Sequence, residues 1–521
     1  DVNAQVRLRG IKVKKGDIEL SEDQLDTSVS VFGDFKKGDI LIKGFEVAVP
    51  MLVKAGVDGD IKGWGQELAL NARVNDIEHK RWLEKLPAPI RQKLPKMEVE
   101  GKSSITASAT GRNSFKITGT FKTEGLGVYL PDNGIDVRDS EGSIDFDISK
   151  EVQSISGRMK VGSFQKSGLL DKPVSILTGF ELMTDGPNIK IKNISATIPE
   201  KAASFSVSGE VAGYMKEPRP ILDLALSFHP REKVDLLKGV NAAGGVFFRG
   251  GIKSPREKEL EMNGGLKFDH LFISYQDRAS VNDLNGEIKM VQGVRYVKGV
   301  ELITESEGGA LYTGTLYDLM RPYMKKDYDL TLKSASFDEY EVGPLNMDIA
   351  WNRGNLLVDR YDLALFGGGI LGNVRAAYVN GMPEYSLYSN IAGIRFDRIF
   401  KGPKGGEDVQ VNADLNLKGR GTEIEGNVNV TRIGKDILDR ALLRLDPGES
   451  NPQIVDIRSK LNTLGWVPKE VSIWIRHGEL NLDVTLQRRG FTLLNIVGLE
   501  KIPVRRVPVG YLIKKGMKRG D

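Results

Sequence analysis

Apolar and polar residues alternate along most of this chain, most strictly at Glu479–Leu486. Leu480, Leu482, Val484 and Leu486 fall on one side there, and Asn481, Asp483 and Thr485 on the other. A period of two marks a β-strand with one apolar and one polar face. The same writing runs through Val411, Ala413, Leu415 and Leu417, through Ile144, Phe146 and Ile148, and through Leu345, Met347, Ile349 and Trp351. Gly-Asp, Gly-Lys, Asn-Gly and Pro-Asp pairs separate the strands at close spacing, which predicts hairpins rather than crossovers. No polar linker interrupts the strands, so one elongated unit is expected.

The period changes in a few places. Trp82, Leu86, Ile90 and Leu94 recur every four residues and predict a short amphipathic helix over 77–94, broken by Pro87 and Pro89, as a lid on the sheet. Pro230–Lys238 reads as one or two helical turns. Gly434–Leu445 spaces Ile437, Leu438, Ala441, Leu442 and Leu445 as a helix, which Asp446-Pro447-Gly448 stops. Asn451 then reads as an N-cap with Pro452 at the first helical position, Ile454, Ile457, Leu461 and Leu464 as the apolar stripe, and Gly465 as the C-cap. The expected organisation is a repeating β-groove over 1–433, a helical cap over 434–465, and terminal strands with a basic tail over 466–521.

A long apolar sheet face needs a cover, because exposed apolar patches on monomers seldom exceed a few hundred Å². The candidates are a second sheet, lipid around a closed barrel, or a bound apolar ligand. Aromatic girdles and a final aromatic strand are missing, which argues against an outer-membrane barrel. Tandem sandwiches would show domain-length spacing with linkers. The expected fold class is therefore mainly β, a long curled antiparallel sheet forming an elongated groove, with a few short helices near 77–94 and 435–465. On the order of thirty strands at ~4.8 Å spacing would line a trough over ~100 Å long.

Composition narrows the chemistry. The 521 residues carry 74 Lys and Arg against 70 Asp and Glu, a net charge of +4, which makes no global case for nucleic acid. Hydrophobic content of 40% with mean hydropathy of −0.27 fits a folded, water-compatible chain. Cysteine is absent, which removes disulfides, thiol catalysis and thiolate metal sites. No run reaches the ~18 apolar residues of a membrane helix. The chain opens at Asp1 without methionine, so a leader or anchor outside this sequence is expected.

No catalytic constellation emerges, and neither an enzyme nor a cofactor is expected. His79, His229, His270 and His477 are scattered, without metal-ligand spacing. Gly101-Lys102-Ser103 echoes the end of a phosphate loop, but Lys96 stands where that loop requires glycine, and a hairpin is expected. Gly367-Gly368-Gly369 reads as a bulge or sharp bend in a strand. The segment from Arg488 to Asp521 holds nine basic residues against two acidic ones. A solvated terminus accounts for that charge; the alternative is that Lys501, Arg505, Arg506, Lys514, Lys515, Lys518 and Arg519 meet anionic head groups or a membrane partner.

The stretch from Gly354 to Phe400, with LALFGGGILGNV and SLYSNIAGIRFDRIF, resembles the C-terminal repeats of AsmA-like envelope proteins. GKDILDRALLRLDPGESNPQIVDIRSKLNTLG followed by PKEVSIWIRHGELNLDV is similar to the end region of the YdbH-type branch, and the similarity covers about Leu260–Val509. With the TamB group, these belong to the bridge-like lipid transfer proteins. The resemblance implies a periplasmic groove, anchored by an N-terminal membrane segment absent from this chain, that carries phospholipid between inner and outer membranes. The lining expected to meet acyl chains is Phe115, Ile117, Ile144, Phe146, Ile148, Leu330, Leu332, Leu415, Leu417, Val428, Val430, Leu482 and Val484. Two other readings remain open: a scaffold or chaperone for outer-membrane protein assembly, and a β-repeat surface protein.

Overall fold

The computed structural model describes all residues except 16–17, 35, 51, 87–90, 93, 113, 151, 171, 277, 297–299, 304–326, 339, 380–381, 397–408, 464, 478, 489–497 and 509–521. The chain divides into two compact units, Asp1–Glu257 and Lys258–Asp521, although no linker marks the division. Where contacts run between successive strands, a boundary can fall at a hairpin without one.

Unit 1 begins with β1 (Val2–Lys15), β2 (Ile18–Asp34), β3 (Asp39–Val49), β4 (Val53–Lys62) and β5 (Glu67–Glu78). The helix α1 (His79–Lys85) leads into β6 (Glu98–Arg112), β7 (Phe115–Leu130), β8 (Ile135–Ile148), β9 (Val152–Lys166) and β10 (Val174–Asp185). Then come β11 (Asn188–Ile198), β12 (Ala203–Ala212), β13 (Arg219–Phe228), β14 (Val234–Leu237) and β15 (Val240–Lys253). Unit 2 holds β16 (Glu259–Tyr275), β17 (Ala279–Tyr296), β18 (Val300–Ile303), β19 (Leu330–Phe337), β20 (Tyr340–Asn352), β21 (Asn355–Leu365) and β22 (Gly368–Val379). It continues with β23 (Met382–Arg395), β24 (Gln410–Arg420) and β25 (Glu423–Arg432), the helices α2 (Lys435–Leu445) and α3 (Pro452–Asn462), and β26 (Trp466–Arg476), β27 (Glu479–Arg488) and β28 (Gly498–Pro508).

The protein is mainly antiparallel β, is not closed into a barrel, and has three short helices among the described residues, in keeping with a curled groove. Within each unit most strands pair antiparallel with the strand before or after them in the chain. Pro131–Asn133 makes one 3₁₀ turn, and Gly134 at φ +61° swings the chain from β7 into β8, as the Pro-Asp and Asn-Gly signals predict. The main exception to antiparallel order lies in unit 2, where Lys289–Val291 of β17 runs parallel to Ala350–Asn352 of β20.

Several local expectations are corrected. Pro230–Lys238 is not helical: Val234–Leu237 is β14, which extends the pairing along β15 beyond the end of β13. A four-residue segment has too few turns to form a stable helix when a strand edge is available. Gly101 sits inside β6 rather than in a hairpin, as a bulge at φ +99°, where an added Cβ would stand 2.5 Å from the Gly125 carbonyl oxygen. Phe366 and Gly367, both at positive φ, form the hairpin turn between β21 and β22, so the first glycine of the run turns the chain and the other two open β22, with no bulge. α3 ends at Asn462 and is capped by Thr463, not Gly465, whose φ of +96° instead turns the chain into β26. Within 77–94 the described helix is α1 alone; Trp82 and Leu94 are exposed rather than turned inward, while Ile90 lies outside the described residues.

Candidate functional site: an apolar sheet face

Opposed residues on antiparallel strands project from the same face, so the register tracks each face across the sheet. In unit 1 a row of directly opposed residues crosses β1 to β7 as Val6, Thr27, Val47, Ala55, Val74, Ile105 and Phe121. It continues across β8 to β13 and β15 as Ile144, Gly157, Phe180, Ile194, Val207, Leu224 and Gly250. Thr27 is its one polar member. Ile117 faces Ile148 in the adjoining row, Gly119 faces Phe146, and Phe115 faces Gly111. All five lining residues expected in this unit therefore share one face.

That face has no second layer among the described residues. The substantial contacts of unit 1 run between sheet neighbours, with only α1 and short 3₁₀ turns added. Phe115 is 45% exposed, Ile117 40% and Ile148 37%, while Ile144 and Phe146 are half-buried. α1 sits on the same side at one end, where His79 Nε2 lies 2.8 Å from the Oγ of buried Ser103 and burial pushes the imidazole below its ordinary value.

The opposite face is hydrophilic and cross-braced. Thr120 donates to Asp145 at 2.6 Å, Lys192 pairs with Glu181 at 2.6 Å, and Arg73 reaches Glu46 at 3.2 Å. A hollow of about 1000 Å³ opens on this polar side of unit 1 between Lys122, Glu141, Asp145, Arg158, Lys160, Glu181 and Asn193. Charges of both signs line it, so it suits water and ions rather than hydrocarbon. The acyl-binding candidate is the other face.

Unit 2 repeats the arrangement with a different ending. Leu284, Leu332, Leu345, Leu363, Ile370 and Ile391 form a row that continues as Ala413, Val430, Val471, Val484 and Ile502. Leu330, Leu415, Val428 and Leu482 belong to the adjoining row on the same face, with Leu417 one row further. From Leu332 to Ile391 the row is half-buried; from Ala413 onward it is fully buried. α2 and α3 are the cause. Leu438 and Leu442 of α2 and Ile454, Ile457 and Leu461 of α3 pack onto Val430, Val471, Leu482, Val484 and Val504. Leu482 at 1% exposure and Val484 at 0% are thus the floor beneath a helical plug, not open lining.

Polar contacts fix the plug. The Asn451 side chain accepts from the Gln453 and Ile454 N–H groups at 3.0 and 3.2 Å, the capping expected of it. Asp446 accepts from the Asn451 N–H at 2.7 Å and the Ser450 hydroxyl at 2.8 Å. The Asn451 N–H, aided by Ser450, holds the Asp446 carboxyl below its ordinary value against the opposing effect of burial. Arg458 joins α3 to Asp439 of α2 at 2.9 Å, and Lys460 joins α3 to Glu500 of β28. Ala441 of the expected α2 stripe is exposed, since Leu438 and Leu442 already span the contact.

Two of the basic candidates have a partner that alternation alone does not reveal. Lys501 Nζ lies 2.7 Å from Asp483 Oδ2, and Arg505 Nη1 lies 2.6 Å from Asp483 Oδ1 while donating to the Leu482 carbonyl at 3.0 Å. Burial pushes Asp483 up, but the two cations outweigh it and hold the carboxyl below its ordinary value. Arg506 is exposed, and its N–H donates to Asn481 at 3.0 Å. Lys514, Lys515, Lys518 and Arg519 lie outside the described residues.

Polar pairs interrupt the apolar face of unit 2, among them the Tyr361 and Ser389 hydroxyls, which hydrogen-bond across Gly372, and Trp351 Nε1, which donates to Gln292 at 2.8 Å. Burial raises the Tyr361 phenol above its ordinary value. Among the described residues no cluster of His, Asp and Glu is placed to hold a metal ion, and no helix is long and apolar enough to cross a membrane. The fold and site define a mainly antiparallel β protein in which each unit carries an apolar sheet face, without a second layer among the described residues of unit 1 and sealed by α2 and α3 at the C-terminal end of unit 2. No family model matches the chain, and no curated protein matches it.

Proposed function

We propose that the apolar face binds phospholipid acyl chains and lets them move along it, making this a non-enzymatic lipid carrier of the cell envelope. The observation that carries the reading is the row from Val6 to Gly250, apolar at nearly every strand and left uncovered. Transferring a CH₂ group between hydrocarbon and water involves about 0.8 kcal/mol, so two acyl chains and this face both gain from meeting. The lining has almost no hydrogen-bonding groups to read chemistry, so selectivity among acyl chains is weak and head groups stay in solvent. The resemblance to AsmA-like proteins supports a periplasmic site between inner and outer membranes, with α2 and α3 sealing the C-terminal part of the unit 2 face.

The test is mass spectrometry of lipid extracted from purified protein, with a photocrosslinker at Ile117 or Phe146. Phospholipid in the extract and acyl adducts at both positions are expected. Adducts to polypeptide alone would favour an assembly scaffold, and a lipid-free protein without adducts would end the carrier reading.

A further inference from the structure

We propose that glycines set the clearance of the apolar face, because aromatic side chains lie down over them. This rests on the acyl-binding reading and adds which residues control passage. Phe180 stands directly across from Gly157, Phe146 across from Gly119, and Tyr385 across from Gly419. In each pair the ring occupies the space above the glycine. A Cβ on Gly157 would stand 2.7 Å from Phe180 Cε1 and 2.8 Å from Cζ, and one on Gly119 would stand 2.9 Å from Phe146 Cε2. The Tyr385 ring crowds Gly419 in the same way. Neither Gly119 nor Gly157 has a positive φ, so their backbone does not call for glycine. What calls for it is the neighbouring ring, which needs a bare stretch of strand to lie on.

The consequence is steric. A ring that lies across the sheet leaves the space above the face open to a chain; a ring displaced by a Cβ must stand up into that space. At Gly157 the nearest atoms are the far end of the Phe180 side chain, with the Ser143 carbonyl oxygen at 3.0 Å, so an alanine there moves the ring more readily than the strand. Gly119 is a less clean site, because the Thr106 carbonyl oxygen also crowds the added carbon.

The experiment compares wild type, Gly157→Ala, Phe180→Ala and Gly157→Ala/Phe180→Ala. It measures phospholipid carried per chain and transfer of a fluorescent phospholipid between phosphatidylethanolamine/phosphatidylglycerol vesicles, with circular dichroism as the folding check. Gly157→Ala is expected to lower both readouts at least threefold with an unchanged spectrum. Phe180→Ala and the double variant should agree within twofold of each other, since no ring remains for the added carbon to displace. Should Gly157→Ala fail to fold, Phe180→Trp, which leaves the backbone untouched, is expected to show the same loss. A lipid-loaded wild type with equally loaded Gly157→Ala, or with equally loaded Phe180→Trp where that replaces it, overturns the clearance role and leaves the carrier reading standing. A double variant at least threefold below Phe180→Ala also overturns it, and a wild type without lipid removes both.

Discussion

Ile117 and Leu482 look alike in the sequence, both apolar members of alternating strands, yet they answer to different physics. Ile117 is 40% exposed on an uncovered face, and Leu482 is 1% exposed beneath α2 and α3. Ile117→Asp is expected to change stability by less than about 1 kcal/mol while reducing bound lipid, because its charge stays hydrated. Leu482→Ala should cost about 2–5 kcal/mol in urea unfolding followed by circular dichroism, the ordinary cost of a core cavity. Asp446 and Asp483 add a pH dependence. Both carboxyls are held below their ordinary values in the fold, so their contribution is present above the unfolded-state value and is lost as pH falls through the folded one. Protection factors in α2, α3, β27 and β28, corrected for the intrinsic pH dependence of exchange, should therefore fall in acid. Unchanged protection at pH 3 relative to pH 6 would contradict this.

The elements differ in how plainly they are written. α2 and α3 are legible because their stripes repeat at helical spacing and Asn451-Pro452 starts α3 as local chemistry requires. Asn451→Ala should cost about 1 kcal/mol and loosen α3, seen as faster exchange of the Gln453 and Ile454 amides. The errors are equally physical. Val234–Leu237 carries apolar residues that suit either period, and only the free edge of β15 selects the strand. Gly101 and Gly367 both allow positive φ, but whether that freedom becomes a bulge or a turn depends on the partner strand's register. The expected contact role of Lys501 and Arg505 meets Asp483, whose place between them is set by how β28 pairs with β27.

For the molecule as a whole, coupling between neighbours is the governing feature. In unit 1 each strand leans on the next, much as in repeat proteins whose stability is a sum of local terms. Phe228, buried on β13 between Ala203 and Val246, gives a test. Phe228→Ala should accelerate exchange in β12, β13 and β15 and leave β3 to β6 unchanged. A uniform rise across the unit would mean a single cooperative core. Among the described residues unit 1 shows no such core: its buried apolar residues, Leu52, Val174, Phe228 and Ala242, are scattered, while unit 2 gathers most of its own under the helical plug.

The sequence by itself determined the β class, the division of each strand into an oily and a wet side, and the two C-terminal helices. These follow from the periods of two and 3.6, which a chain carries locally. Only the tertiary structure decided which oily positions stay open and which are sealed, which ring lies on which glycine, and which cations Asp483 neutralises. Those outcomes depend on cross-strand register and on what packs above the sheet, and both bring together residues whose separation along the chain carries no trace of their meeting.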